Sequence, residues 1–97
     1  MMSEGPRLEF GWDEANARHL ARHRISPSEF EQAMMYHPLI FDFSDESGED
    51  RWFALGATEG LRVLVLLFTY RQKRIRPITG WDADKKMRKL YFQKKGE

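Results

Sequence analysis

A chain of 97 residues with 41% hydrophobic and 13% aromatic side chains is long enough for one core and too apolar to be disordered. It contains no cysteine, which excludes disulfides and thiolate chemistry, and no apolar run approaches the roughly 20 residues that cross a bilayer. We therefore expect residues 1–97 to form a single soluble, cytoplasmic domain without membrane contact.

The net charge of +1 is the sum of an acidic and a basic segment. Residues 1–69 carry 6 Lys and Arg against 12 Asp and Glu, whereas residues 70–97 carry 10 against 3. A basic C-terminal segment indicates an anionic partner, with nucleic acid the leading candidate. The alternative is a basic helix that folds back on an acidic helix of the same chain.

The N-terminal part of the chain predicts a short strand and two helices. Residues 8–12 alternate as a small edge strand does, and Asp13 can cap a helix that begins at residue 14 and ends near residue 23 or 24. The next boundary is sharper, because Ser-Pro-Ser-Glu beginning at Ser26 forms a capping box with proline at the first helical position. A second helix should therefore run over residues 27–36.

Four strands and one helix are predicted next. Residues 39–43 and 51–58 read as strands, and residues 61–68 are apolar enough to be buried on both faces. A further strand covers residues 74–79, and a basic helix ends near residue 95. The predicted order is β-α-α-β-β-β-β-α, an α+β domain in which an antiparallel meander sheet carries two N-terminal helices and one C-terminal helix, packed chiefly against one face.

The most informative stretch lies where the buried strand gives way to Arg71, Lys73, Arg74 and Arg76. Because side chains alternate across a strand, Arg74 and Arg76 should share a face. Two neighbouring guanidinium groups suit a phosphate, since each offers a planar fork of donors. The alternative is an edge strand that charge protects from aggregation.

Two segments resemble the BrnT-like proteins, small toxins of bacterial type II toxin–antitoxin systems. WDEANARHLARHRISPSEFEQAM is similar to their opening helical pair, whose matching positions here are Trp12, Asp13, Asn16, Arg22, His23 and Ser26. GEDRWFALGATEGLRVLVLLFTYRQKRIRPIT is similar to their Gly-Glu-x-Arg strand, Gly-Arg-x-Leu strand and Arg-Ile-Arg strand. The resemblance spans roughly residues 8–92.

The resemblance implies a RelE-like ribonuclease fold that cleaves RNA without a metal. It also implies neutralisation by a DNA-binding antitoxin encoded beside the toxin. Carried over by position, Arg51 from the Gly-Glu-x-Arg motif and Arg74 and Arg76 from the basic strand become catalytic candidates. Arg51 could instead pair with Glu49 or Asp50.

Two positions depart from the family pattern. Trp81 stands where these toxins usually have an arginine after the basic strand, a cation that Lys85 could replace. Arg24 stands where they usually have a glycine. The missing arginine keeps open a second hypothesis, a non-catalytic module that retains the fold and binds nucleic acid or protein. In either case Lys73, Trp81 and Lys85 are candidates to contact RNA, the tryptophan by stacking on a base.

Metal-free RNA cleavage needs a base for the 2′-hydroxyl, cations for the phosphorane and an acid for the leaving oxygen. His23 is the candidate acid or base, with Glu49 and Tyr70 in reserve, although a histidine at a helix C-terminus also favours the dipole. His19 and His23 have the spacing of paired zinc ligands, but only His37 or a loop carboxylate could supply a third and the glutamate of an H-E-x-x-H motif is absent, so we expect no metal or other cofactor. Trp12 and Trp52 could also stack on bases, but aromatic residues at such strand ends are more often core or dimer contacts, so a homodimer stays open.

Overall fold

The computed structural model describes residues 8–45 and 48–96, which form three helices and one four-stranded sheet. The elements are α1 (Glu14–Ala21), α2 (Pro27–Met35), β1 (Leu39–Ser44), β2 (Arg51–Ala57), β3 (Val63–Arg71), β4 (Arg74–Asp82) and α3 (Lys85–Lys95). The strands follow one another in the order β1-β2-β3-β4, and each pair is antiparallel. The predicted α+β meander is confirmed. Among the described residues, no helix is long and apolar enough to cross a membrane.

The predicted N-terminal strand is reduced to a single β-bridge. Phe10 pairs in parallel with Ile75 on the outer edge of β4. The Ile75 amide donates to the Glu9 carbonyl at 2.8 Å, and the Gly11 amide donates to the Ile75 carbonyl at the same distance. Asp13 then caps α1 only two residues later, which leaves no length for a longer ladder.

The helix α1 ends two to three residues before its predicted limit because the chain turns left-handed. Arg24 has a φ of 57°, and the Ile25 amide donates back to the Leu20 carbonyl at 3.0 Å. This is the termination that glycine favours after a helix. The position where the related toxins usually have glycine therefore has a conformational reason for one.

The capping box that opens α2 is confirmed. The Ser26 hydroxyl accepts the Glu29 amide at 3.1 Å, and the Glu29 carboxylate accepts the Ser26 amide at 3.0 Å. The helix then lies directly on the sheet, since a Cβ added to Gly56 of β2 would come within 2.3 Å of the Ala33 carbonyl oxygen. Met35 is its last residue, one before the predicted end.

Two apolar clusters lie on opposite faces of the sheet. The first packs α1 and α2 against the sheet and contains Leu20, Ile25, Phe30, Ala33, Met34, Ala54, Leu64, Leu66, Phe68 and Ile75. The second packs α3 against the other face and contains Leu55, Ala57, Val63, Val65, Ala83 and Tyr91. The cluster beneath α3 lies toward the Ala57–Val63 end of its face and includes no residue from 51–53 or from 67–71.

Arg62, which follows the β2–β3 turn, connects three other segments. Its guanidinium donates to both Asp82 oxygens at 2.7 and 3.1 Å, and to the Glu29 carboxylate at 3.2 and 3.3 Å. It also donates to the carbonyls of His23 and Arg24, at 2.9 and 2.6 Å. One side chain thereby fixes the α1–α2 turn to the start of α2 and the end of β4.

These contacts stabilise the ionised forms of the partner carboxylates. The hydrogen bonds from Arg62 lower the pKa of Asp82. The pKa of Glu29 is lowered by the hydrogen bond from the Ser26 backbone and, in addition, by Arg62. The pKa of Arg62 is raised in turn, chiefly by its hydrogen bonds to Asp82.

Candidate functional site

The pairing of β3 with β4 gathers cations on the sheet face that α3 leaves open. Arg71 lies directly opposite Arg74, and Thr69 lies opposite Arg76. Opposed residues of an antiparallel pair project to the same face, and so do residues two apart on one strand. The register of β4 against β3 therefore places Arg74 and Arg76 on a common face, as predicted.

Arg51 joins this face from β2. Its neighbour Trp52 lies opposite Phe68 and packs on the side of α1 and α2, so alternation directs Arg51 to the other side. We call Arg51, Arg71, Arg74 and Arg76 the arginine face. Among the described residues, the Arg51 Nε is buried without a hydrogen-bond partner, and it forms a loose ion pair with a Glu49 carboxylate oxygen 3.9 Å away. An unpaired buried donor costs about 1–3 kcal/mol, which an added acceptor would offset.

All four of these arginines lie beside a carboxylate, in the pairs Arg51–Glu49, Arg71–Glu49, Arg74–Glu9 and Arg76–Asp13. The Arg76 and Arg74 pairs have N···O distances of 3.2 and 3.9 Å and are well exposed to solvent. Exposed pairs of this kind contribute about 0–1 kcal/mol each. A phosphate, which arginine can bind through two parallel hydrogen bonds, is able to displace such carboxylates.

A cleft of about 230 Å³ opens where α1 meets the arginine face. Its polar lining consists of Asp13, Asn16, His19, Glu49, Thr69, Arg71 and Arg76. This volume is below that of most small-molecule pockets and suits a phosphate with its sugar. The cleft brings together an imidazole, two carboxylates and two guanidinium groups, which include the groups that acid–base chemistry at a phosphodiester requires.

The site residues that sequence reasoning missed come mainly from α1. Asp13, Asn16 and His19 recur every three residues, so they lie on one side of the helix. Asn16 is buried and donates to the Gly11 carbonyl at 3.1 Å, which fixes that side of α1 against the edge of β4. The three-residue spacing was visible in the sequence, but it indicates a site only once α1 is known to lie against the basic strand β4.

His23, Trp81 and Lys85 lie away from the cleft. Trp81 follows Arg76 by five residues, which is roughly 15 Å along a strand. The rings of His23 and Trp81 are 6.4 Å apart, and Lys85 is the exposed first residue of α3. The structure thus brings His23 and Trp81 together but separates them from the arginine face.

Lys73 occupies the tip of the β3–β4 hairpin. It forms a two-residue turn with Gln72, and the φ angles of the two residues are 64° and 55°. Both residues are exposed beside the Arg71–Arg74 pair, so Lys73 extends the basic surface past the end of the sheet. Within the described ranges, no three His, Asp or Glu side chains are grouped closely enough to hold a metal ion.

Comparison with protein families gives one match that covers most of the chain. A family model described as "Ribonuclease toxin, BrnT, of type II toxin-antitoxin system" matches residues 12–87. The matched segment begins at Trp12, includes both N-terminal helices and all four strands, and ends at Met87 within α3. No curated protein matches the chain.

Proposed function

Because this chain belongs to the BrnT family of ribonuclease toxins of type II toxin–antitoxin systems, we propose that it is a metal-independent endoribonuclease neutralised by a DNA-binding antitoxin. The family implies an RNA target and an antitoxin partner. The observation that carries the proposed chemistry is the cleft in which His19 and Glu49 meet Arg71 and Arg76. Residues 1–97 act in this proposal as one functional domain.

The arginine face binds the scissile phosphate. Arg71 and Arg76 line the cleft, and Arg51 offers a buried Nε that has no acceptor of its own. As the 2′-hydroxyl oxygen attacks phosphorus, charge accumulates on the non-bridging oxygens, and guanidinium groups already in place stabilise it. Arg74 binds a neighbouring phosphate from its position beside Arg71 on the same face.

Proton transfer falls to Glu49 and His19, which line the cleft together with Asp13. The Glu49 carboxylate, which is ion-paired with Arg71, acts as the base and accepts the proton of the 2′-hydroxyl. A protonated His19 supplies the proton to the 5′-oxygen as the phosphorus–oxygen bond breaks. The products are a 2′,3′-cyclic phosphate and a free 5′-hydroxyl, and no metal takes part. His23, Trp81, Lys73 and Lys85 contact more distant parts of the RNA in this scheme.

A cleavage assay on single-stranded RNA in the presence of EDTA tests the proposal. We expect the wild-type protein to cut, and Arg76→Ala and His19→Gln to lower the rate by about 10²–10³, as for loss of a transition-state contact. Arg18→Ala, which removes an exposed cation from the same helix as His19, serves as the control and should leave the rate unchanged. RNA left intact by the wild type, or cleavage abolished by EDTA, contradicts the proposal.

The second candidate function is a non-catalytic module that binds nucleic acid or protein through the same fold. Trp81 favours it, because a tryptophan occupies the position of the arginine usual in the family. This candidate expects RNA binding that weakens steeply with salt and with Arg76→Ala, while the wild type cuts nothing. Fluorescence anisotropy with labelled RNA, run beside the cleavage assay, separates the two functions.

A further inference from the structure

An apolar groove lies at the opposite end of the sheet from the arginine face. It encloses about 580 Å³ between the end of α2, the β2–β3 turn and the end of α3. Its exposed apolar side chains are Met35, Tyr36, Leu61 and Phe92, with exposed fractions of 63%, 66%, 66% and 45%. Arg51 and Ala57 mark the two ends of β2, so groove and arginine face are roughly 20 Å apart.

Leu61 is held in the groove by an unfavourable backbone conformation. Its φ is 65°, in the left-handed region that glycine adopts freely and that costs other residues about 1–2 kcal/mol. The adjacent Gly60 does not have a positive φ. A large apolar side chain is thus retained where glycine would relieve strain, and two thirds of its surface contacts solvent. Left-handed residues also form ordinary turns in this chain, so it is the strain together with the exposed apolar side chain that points to binding.

The groove has a cationic border along α3. Six of the eleven residues of Lys85–Lys95 are Lys or Arg, and none is acidic. Lys95 lines the groove itself, with its Nζ 5.7 Å from the Tyr36 ring and 6.0 Å from the Tyr91 ring. Glu59 lines the groove on the side of the β2–β3 turn, so the positive charge is confined to the α3 side. A ligand that fills the groove therefore buries apolar surface while its face toward α3 meets positive charge.

We propose that this groove is the docking site of the antitoxin and that it receives an amphipathic segment, apolar on one face and acidic on the other. Only the identity of the partner rests on the proposed function. Met35 and Leu61 are aliphatic and protrude, so they fit apolar side chains better than flat bases, which stack on rings. Two copies of this chain facing each other across the groove would bring their basic α3 helices together.

The distance from the arginine face gives the proposal a specific consequence. A segment seated in the groove contacts neither Arg71 nor Arg76, so groove substitutions should separate antitoxin binding from RNA cleavage. Leu61→Gly is the most informative variant, because it relieves backbone strain and removes only one exposed side chain. If Leu61 served the fold, its loss would lower stability; if it serves docking, stability holds or rises while affinity falls.

The test measures affinity for the purified protein encoded by the neighbouring reading frame, by titration calorimetry with the full-length chain. We expect Leu61→Gly to weaken binding about tenfold, and Phe92→Glu about thirtyfold or more, as for loss of a buried anchor. Phe43→Glu, which charges an equally exposed aromatic residue on β1, is the matched control and should bind as the wild type does. RNA cleavage should be unchanged in all three variants.

The remaining outcomes identify other occupants and overturn the proposal. A dimer that dissociates on Phe92→Glu in sedimentation assigns the groove to a second copy, and RNA binding lost on Lys95→Glu assigns it to RNA. Antitoxin binding lost on Phe43→Glu alone moves the docking surface to β1. No binding by the wild type also refutes docking, whereas the metal-independent nuclease stands or falls separately in the cleavage assay.

Discussion

Arg62 and the arginine face use the same functional group in opposite ways at two ends of one sheet. The Arg62 guanidinium makes six hydrogen bonds to two carboxylates and two backbone carbonyls. On the arginine face, the Arg51 Nε has no hydrogen bond and Arg74 has a carboxylate only at 3.9 Å. A count of cations along the sequence treats these arginines alike. What distinguishes them is how many donors the fold already fills.

The largest effect on stability should come from Arg62→Ala. Loss of this side chain leaves two carbonyls and two carboxylates without their donor, so we expect the free energy of unfolding to fall by about 3 kcal/mol. Arg74→Ala, the control from the arginine face, should change it by less than about 0.5 kcal/mol. Urea denaturation followed by circular dichroism measures both. Equal losses of unfolding free energy in the two variants would mean that Arg62 stabilises the fold no more than Arg74 does.

The next largest effect should be a loss of folding stability in acid, caused by protonation of the two carboxylates that Arg62 binds. Because the pKa values of Glu29 and Asp82 are lowered in the folded protein, their contribution is complete at neutral pH. It is lost as the pH falls from about 4, the usual carboxyl range, through the lower folded values. The double variant Glu29→Gln and Asp82→Asn should therefore show a flatter fall in stability between pH 7 and pH 3. An unchanged acid slope would exclude these two groups as its source.

A smaller, opposite effect is expected from Arg24→Gly. Glycine relieves the left-handed backbone at this position but keeps the carbonyl that Arg62 binds, so stability should rise by about 0.5–1 kcal/mol. Arg22→Gly is the matched control, since its φ of −61° is helical and glycine there should destabilise by a similar amount. Thermal denaturation of the two variants shows whether each is more or less stable than the wild type. A loss of stability in both would show that strain at Arg24 is negligible.

The smallest effect concerns the carboxylates on the arginine face. Asp13→Asn removes the charge beside Arg76 but retains a good N-cap for α1, so the helix should persist. RNA affinity should rise about two- to fivefold, the scale of one exposed ion pair. Glu14→Gln, which removes the neighbouring carboxylate that pairs with Arg18, should change affinity less. Anisotropy titrations with labelled RNA at one salt concentration compare the affinities of the two variants. A lower RNA affinity for Asp13→Asn would contradict the idea that the Asp13 carboxylate competes with phosphate for Arg76.

The parts of this molecule that could be predicted are those that local rules decide. The capping box at Ser26 involves four consecutive residues, and the shared face of Arg74 and Arg76 follows from the two-residue period of a strand. The cleft depends instead on Asp13 meeting Arg76 across 63 positions of sequence. No local pattern fixes which edge of the sheet α1 lies against, so the contribution of His19 could not be foreseen.

The place of His23 outside the cleft could not be predicted from the sequence either. It was predicted as a helix-end residue, and the end of the helix decides where its side chain goes. Because α1 stops at Ala21, His23 belongs to the turn that leads into α2, beside Trp81. The register between β3 and β4 also shifts by one residue between Leu67 and Phe68, on the stretch that joins Arg76 to Trp81, and such a bulge is equally hidden from the sequence.

The bridge at Phe10 makes the two edges of the sheet differ in their tendency to aggregate when the protein is produced in quantity. It blocks the outer edge of β4 with a backbone segment, whereas β1 pairs within the described residues with β2 alone. The β1 strand also exposes Ile40, Phe41 and Phe43, and an uncovered apolar edge is where foreign strands add. Aggregation through the sheet should therefore favour the β1 edge, and a lysine at Ile40 or Phe41 is the substitution that should keep the purified protein monodisperse.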